Sequence, residues 1–186
     1  MTDPSLPPHL VIDGDRLSAL DDFGLREAAP DATFDGFVLL ARTLCAAPAA
    51  LVSLVDEDRQ WFMARSGFGP TQTPLSQSVC SHALNSTGLL IIPDLRADPR
   101  TNGNTLVTGE PGLQFYAGAP LRTSDGHTLG TLCVLDTMAR PDGLTAEQAE
   151  NLNVLAKSIM VQLDLQRRLR ASQAEVERLR EALQIA

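Results

Sequence analysis

No apolar run in the sequence approaches the roughly 18 to 20 residues needed to span a bilayer, and the N-terminus lacks a charged region followed by an apolar stretch. A membrane span and a secretory leader are therefore not expected, and the chain is expected in the cytoplasm. Positive charge is scarce: 15 Lys and Arg stand against 23 Asp and Glu, a formal charge of −8, which opposes a broad surface tracking phosphates and argues against nucleic acid as a partner. Cysteine is sparse as well. Cys45, Cys80 and Cys133 are odd in number and widely spaced, with neither a CxxC pair nor a disulfide framework, so reduced thiols are expected. Repeats and low-complexity tracts are missing. What remains, 44 % hydrophobic and 20 % charged over 186 residues, is the composition of one ordinary globular domain with appendages, long enough to bury a core.

Residues 1–14, with Pro4, Pro7, Pro8 and Gly14, are expected as an extended arm. From Asp15, the spacing of Leu17, Leu20, Phe23 and Leu25 predicts a short helix stopped near Gly24. Phe34, Phe37, Val38, Leu40, Ala41 and Leu44 then recur at helical spacing behind Asp31 or Thr33 as cap, until Pro48 ends the run. After Pro48 the period shortens. Ala49 to Val55 and Arg59 to Ser66 flank the polar Asp56-Glu57-Asp58 and predict a hairpin. Ser76 or Ser78 is expected to cap a helix reaching about Asn85, Leu89 to Leu95 reads as a strand, and Asp94 to Gly112 as a long surface loop. Gln114 to Arg122 and His127 to Asp136 form the clearest hairpin, because the Asp125-Gly126 pair supplies the positive φ that a tight antiparallel turn requires. Antiparallel hairpins separated by helices imply an α+β domain over residues 15–165, with a central sheet covered by helices.

From Leu144 the sequence runs without Gly or Pro to Ala186, with Thr145 and Gln148 spaced as a capping box. Such a helix of about 40 residues would be about 60 Å long, more than one small domain can cover. Its distal part, residues 166–186, is read as a parallel coiled coil. Positions a fall on Leu155, Gln162, Leu169, Val176 and Leu183, and positions d on Leu165, Ser172 and Leu179. Glu175 at g and Arg180 at the following e are placed to pair between chains of a homodimer, with Leu165, Leu169, Val176, Leu179 and Leu183 as its apolar interface. Arg167, Arg168, Arg170, Arg178 and Arg180 alternate with Glu175, Glu177 and Glu181 and have no aromatic neighbour, which suits a solvated coiled-coil surface better than a nucleic-acid site.

Several segments together resemble bacterial GAF domains. In the first half these are Arg16 to Leu20 with Phe23-Gly24-Leu25, and Leu51 to Phe62. Ser78-Val79-Cys80-Ser81-His82-Ala83-Leu84, Asp94 to Arg100, Phe115 to Leu121 and Gly130 to Asp136 follow in the same order, so that the similarity covers about residues 15 to 165. The resemblance implies an antiparallel sheet with a pocket between one face and the loops around Asp94 to Gly112. It also implies a sensory or dimerising module of the kind found upstream of histidine kinases, diguanylate cyclases and phosphatases, or standing alone. Trp61, Cys80, His82, Asp94 and Tyr116 lie where the family places its ligand cleft. The ligand is not fixed. The Asn-Lys pair of cyclic-nucleotide-binding members is missing, Lys157 being the only lysine, and Ser81 separates Cys80 from His82 where bilin-attaching members place Cys beside His.

The residues themselves offer little catalysis. Cys80 and His82 are two apart, a spacing that does not face side chains toward each other on a helix, and buried structural thiols are the simpler expectation. Phe115 and Tyr116 must point to opposite faces of their strand, and Asp94 either anchors a ligand or caps the loop that follows. Cys80, His82, His127 and Cys133 have zinc-compatible chemistry but no ligand spacing, so no metal is expected. No cofactor is assigned. The expected function is a non-enzymatic sensory or regulatory module that takes a small ligand or a partner and dimerises through its terminal helix, acting on a downstream signalling output. Two alternatives are a thiol-based reductase of free methionine sulfoxide, which requires two cysteines meeting at an open pocket, and a purely structural dimeriser.

Overall fold

The computed structural model describes residues 8–26 and 29–185. Residues 1–7 of the expected arm lie outside that range. Pro8–Val11 is not extended but forms a helical turn, α1, leading into α2 (Gly14–Asp22). Arg16 explains the difference: its buried guanidinium donates to the carbonyls of Leu10, Val11 and Val55, folding the arm back onto the domain. Asp13 caps α2 by accepting from the Arg16 amide at 2.8 Å. Asp31 likewise accepts from the Thr33 amide at 2.8 Å and opens a 3₁₀ turn (Ala32–Phe34) that runs into α3 (Asp35–Leu44).

Six strands form one antiparallel sheet in the order β3-β2-β1-β6-β5-β4. The first hairpin is β1 (Ala49–Val55) and β2 (Arg59–Ser66), and the second is β5 (Phe115–Arg122) and β6 (Thr128–Asp136), with Gly126 at φ +102° in its turn. Their two inner strands pair with each other, so β1 and β6 are buried at every position. The edges are short. β3 (Gln72–Pro74) is an unanticipated three-residue strand, and β4 (Leu90–Ile92) is three residues rather than the full Leu89 to Leu95 run. Both complete a ladder that only the folded sheet offers.

The helix expected from Ser76 or Ser78 to Asn85 does not form. Two 3₁₀ turns, Leu75–Gln77 and Cys80–Ala83, take its place, closed by i to i+3 bonds such as His82 N–H to Val79 O and Leu84 N–H to Ser81 O at 3.2 Å. Ser78 does serve as a local cap, accepting from the Ser81 amide at 3.1 Å. The segment is nonetheless held to the sheet through Val79, Cys80 and Leu84 rather than through its own helical ladder. Between β4 and β5 a short helix, α4 (Thr105–Thr108), interrupts the long loop.

The sheet divides the interior into two cores. On one face α2, α3 and the first half of α5 (Ala146–Ile185) bury Leu20, Phe34, Val38, Val52, Leu132 and Leu163, among others. On the other face a lid of 3₁₀ turns, α4 and loops covers Leu51, Phe62, Tyr116, Cys133 and Leu135. The capping box of α5 is present, with Thr145 N–H donating to Gln148 Oε1 at 3.1 Å and Gln148 N–H to Thr145 Oγ1 at 3.2 Å. Leu152, Ala156, Ile159 and Leu163 then bury one stripe of α5 against the sheet. Beyond them the helix continues with every residue from Arg168 to Gln184 exposed.

Candidate functional site

The sheet face under the lid is unusually polar for a core. Strand alternation aims Ser53, Gln60, Tyr116, Thr131 and Cys133 into it beside Leu51, Phe62 and Leu135. Gln60 organises one half: its Oε1 accepts from Ser78 Oγ at 2.7 Å and from Ser53 Oγ at 3.4 Å, while its Nε2 donates to Thr73 Oγ1 at 2.7 Å. Strand β2, the edge strand β3 and the lid are thereby held by one buried amide. In the other half the Tyr116 hydroxyl donates to Thr131 Oγ1 at 3.3 Å, and the Cys80 and Cys133 sulfurs lie 3.8 Å apart. Tyr116 lies across Gly118, where a Cβ would come within 2.1 Å of the hydroxyl, so the missing side chain is what seats the ring. All of these groups are buried.

This environment acts on the titrating groups. Burial pushes the Tyr116 phenol well up, with the neighbouring sulfurs adding to it. The Cys80 thiol is held down chiefly by the hydrogen bond from Cys133, against the cost of burial, with the hydroxyls of Ser53, Thr131 and Tyr116 assisting. Cys133 is pushed up because it gives that hydrogen bond and is itself desolvated. One sulfur of the pair thus holds a thiolate more easily because the other remains a thiol.

The space left is small. A void of about 20 Å³ is bordered by Leu51, Gln60, Phe62, Cys80, Tyr116 and Leu135, room for about one water molecule. The larger depressions are open and lie elsewhere. A trough of about 890 Å³ follows the β1–β2 turn, where Arg26 pairs with Asp56 at 3.1 Å and Glu57 at 2.8 Å, and a cleft of about 370 Å³ between β5 and α5 carries Arg122 and Lys157. Neither touches the buried polar cluster, which is the better candidate site because its donors converge. Among the described residues no group of three or more His, Cys, Asp and Glu is placed to hold a metal ion.

Of the five residues singled out in the sequence, Cys80 and Tyr116 meet at the void. Trp61 does not. It lies on the opposite face, packed under the helices, because alternation along β2 turns Gln60 and Phe62 toward the lid and Trp61 toward the helical core. Asp94 caps its own loop, its Oδ1 accepting from the Arg96 amide at 2.9 Å and its carbonyl from Ala97 and Asp98. His82 is half-buried on the lid's second 3₁₀ turn and is not among the residues around the void. Phe115 and Tyr116 do take opposite faces. Gln60, Ser53 and Thr131 escaped the sequence reading, and Cys133 was weighed there only as a structural thiol and in a rejected zinc set, although counting alternate positions from Tyr116 across the paired strands would have found all four.

The profile of the GAF domain family matches residues 29–163. The chain belongs to that family. The GAF domain is 39 % identical over 142 residues to a cyclic di-GMP phosphodiesterase of Pseudomonas aeruginosa, covering 76 % of this chain and 24 % of that protein, so the chain spans about a quarter of the relative's length. It superimposes on the blue-light absorbing form of the Thermosynechococcus elongatus PixJ GAF domain with a TM-score of 0.63 at 17 % identity, covering 90 % and 98 % of the two chains. A free methionine-R-sulfoxide reductase from Neisseria meningitidis, solved with its substrate, gives a TM-score of 0.59 at 18 % identity over 91 % and 95 %. At these identities the two structures share the GAF fold with this chain and nothing more specific.

The outer surface of the GAF domain carries its own apolar stripe. Leu165, Leu169, Val176, Leu179 and Leu183 are all exposed on α5, joined nearer the sheet by Val154 and Val161 and on the adjoining α3 by Leu39, Leu40 and Leu44. The expected a positions Leu155 and Gln162 are half-buried, Leu155 against the domain's own core, so nearer the sheet the exposed apolar row on α5 shifts to Val154 and Val161. Within one chain Glu175 pairs with Arg178, and Arg180 with Glu177 at 3.6 Å. No helix among the described residues is long and apolar enough to cross a membrane.

Proposed function

We propose that this GAF domain is a cytoplasmic regulatory module whose lid-covered face receives a small ligand or a contact and whose α5 carries the result to a second copy of the chain. The observation behind this reading is the continuity of α5. One uninterrupted helix is packed on the sheet through Leu152, Ile159 and Leu163 and then presents Leu165, Leu169, Val176, Leu179 and Leu183 uncovered. A shift in sheet packing must move the exposed end of the same rigid helix. Burying those five side chains between two chains would contribute roughly 1.5 to 3 kcal/mol each if complete, against about 0.2 to 1 for an exposed ion pair. The likeness to part of a cyclic di-GMP phosphodiesterase supports second-messenger turnover as the kind of output served.

Analytical ultracentrifugation at micromolar concentration tests the assembly. A dimer is expected for the wild type, mostly monomer for Leu179→Asp with Leu183→Asp, and a nearly unchanged dimer for Glu175→Gln. A wild-type monomer, or a dimer indifferent to the leucine changes, overturns it. The reductase reading has the shared fold and the adjacent Cys80 and Cys133 in its favour, but a void of about 20 Å³ is far below the size of an amino acid. Thiol-dependent reduction of free methionine sulfoxide that disappears in Cys80→Ser would establish it in place of the regulatory module.

A further inference from the structure

Cys80 and Cys133 are separated by 53 residues in sequence, yet their sulfurs sit 3.8 Å apart in a buried pocket. They come from elements held in different ways. Cys133 is on β6, held between β1 and β5, whereas Cys80 is on a 3₁₀ turn of the lid that is not anchored by a strand ladder or a long helix. We propose that this pair is an oxidation site for small hydroperoxides, closing into an intramolecular Cys80–Cys133 disulfide that fastens the lid to the central strand. It stands or falls independently of ligand binding and of dimerisation.

Three features of the site support the chemistry. The Cys133 thiol lies 3.8 Å from the Cys80 sulfur, so that a thiolate there has a hydrogen-bond donor where an isolated buried sulfur would have none. The void beside Cys80 has room for about one water, which excludes bulky oxidants and substrates and favours hydrogen peroxide, the smallest hydroperoxide. Cys45 provides an internal contrast. It is buried in the other core, its Sγ lies 3.9 Å from the Gln148 carbonyl, and burial raises its pKa with no second thiol beside it.

The steps balance with the hydroperoxide as oxidant. The Cys80 thiolate attacks the peroxide's terminal oxygen; an S–O bond forms, the O–O bond breaks, and the departing alkoxide or hydroxide leaves protonated as alcohol or water. The resulting Cys80 sulfenic acid is then attacked by the Cys133 sulfur. An S–S bond forms, the S–O bond breaks, and the hydroxide leaves as water with the proton from Cys133. Two thiols lose two electrons, and one hydroperoxide is reduced. Closing the bond requires the sulfurs to approach from 3.8 Å to about 2.05 Å, a movement that falls to the lid's 3₁₀ turn because β6 is fixed on both sides.

Wild-type protein is treated with stoichiometric hydrogen peroxide, quenched with an alkylating agent under denaturing conditions, and examined by thiol titration and peptide mass mapping. The expected result is loss of two of the three thiols, a linked pair of peptides containing Cys80 and Cys133, retention of the Cys45 thiol, and full recovery with dithiothreitol. Cys45→Ser should lose both of its remaining thiols. Cys133→Ser should stop at a Cys80 sulfenic acid that a dimedone reagent captures, with no intramolecular link. Retention of all three thiols, a link involving Cys45 or a second chain, or sulfinic acid at Cys80 without a disulfide overturns the proposal. The wild-type map decides this even if the variants fail to fold.

Discussion

The two faces of the sheet are covered by different materials. Helices α2, α3 and α5 close one face with an almost wholly apolar contact, while turns of three and four residues and loops close the other over a cluster of hydroxyls, an amide and two thiols. Long helices satisfy their own backbone and can cover an apolar surface without help. Short turns cannot, and their side chains must bond to the sheet, as Ser78 does to Gln60 at 2.7 Å. The helical face is therefore expected to supply more of the stability, and the lid face combines buried polarity with short elements that lack a helical ladder of their own. The proposed oxidation and ligand response are placed on the second face for that reason.

The comparison is tested most severely by matched truncations. Leu152→Ala under α5 is expected to cost about 2 to 5 kcal/mol in urea unfolding, whereas Leu113→Ala under the lid should fall at or below the low end of that range because loops collapse into the space. Equal costs would mean that the lid is packed as rigidly as the helices. Next in size is Gly118→Ala. Its Cβ would meet the Tyr116 hydroxyl at 2.1 Å and the ring carbon behind it at 2.6 Å, so a loss of about 1 to 3 kcal/mol is expected, partly recovered with Tyr116→Phe in a double-mutant cycle. Additive losses would show that the ring is not seated by the glycine.

Gln60→Leu should cost about 1 to 3 kcal/mol in the same assay, since the Ser78 hydroxyl loses its acceptor and Thr73 its donor. Amide hydrogen exchange should accelerate in residues 72–84 and not in α5; an increase spread over both faces would break the asymmetry. The smallest effect is on acid stability. Thr33 and Gln166 hold the Asp31 carboxyl below its ordinary range on the helical side, and Arg100 does the same for Asp98 on the lid side. A depressed folded pKa stabilises fully above the unfolded value of about 3.9 and is lost as pH falls through the folded pKa. Asp31→Asn and Asp98→Asn should each lower the melting temperature by on the order of 2 °C or less at pH 7, and the difference from wild type should shrink as pH falls below about 4.

Local signals were legible wherever one segment carries its own instruction. The Asp125-Gly126 turn, the Thr145–Gln148 capping box and the alternation that separates Phe115 from Tyr116 all read correctly, because each depends on neighbours within a few residues. The helix expected after Ser76 failed for the opposite reason: its residues bond to Gln60 and pack on β6, contacts that no local pattern announces. Trp61 was misplaced because it was taken from the family resemblance, whereas its position in β2 decides its face.

The sequence by itself determined the hairpins, the long terminal helix, the acidic balance and membership in an antiparallel α+β class, since periodicity, turn chemistry and charge are properties of the chain read in order. Only the tertiary structure decided that Arg16 would fold the arm back, that β3 would complete the edge, that the first half of α5 would bury its stripe in its own domain, and that Cys80 and Cys133 would meet. Each of these pairs residues far apart in sequence. Such a pairing is fixed by how the two cores close around the sheet, and no window along the chain contains both partners.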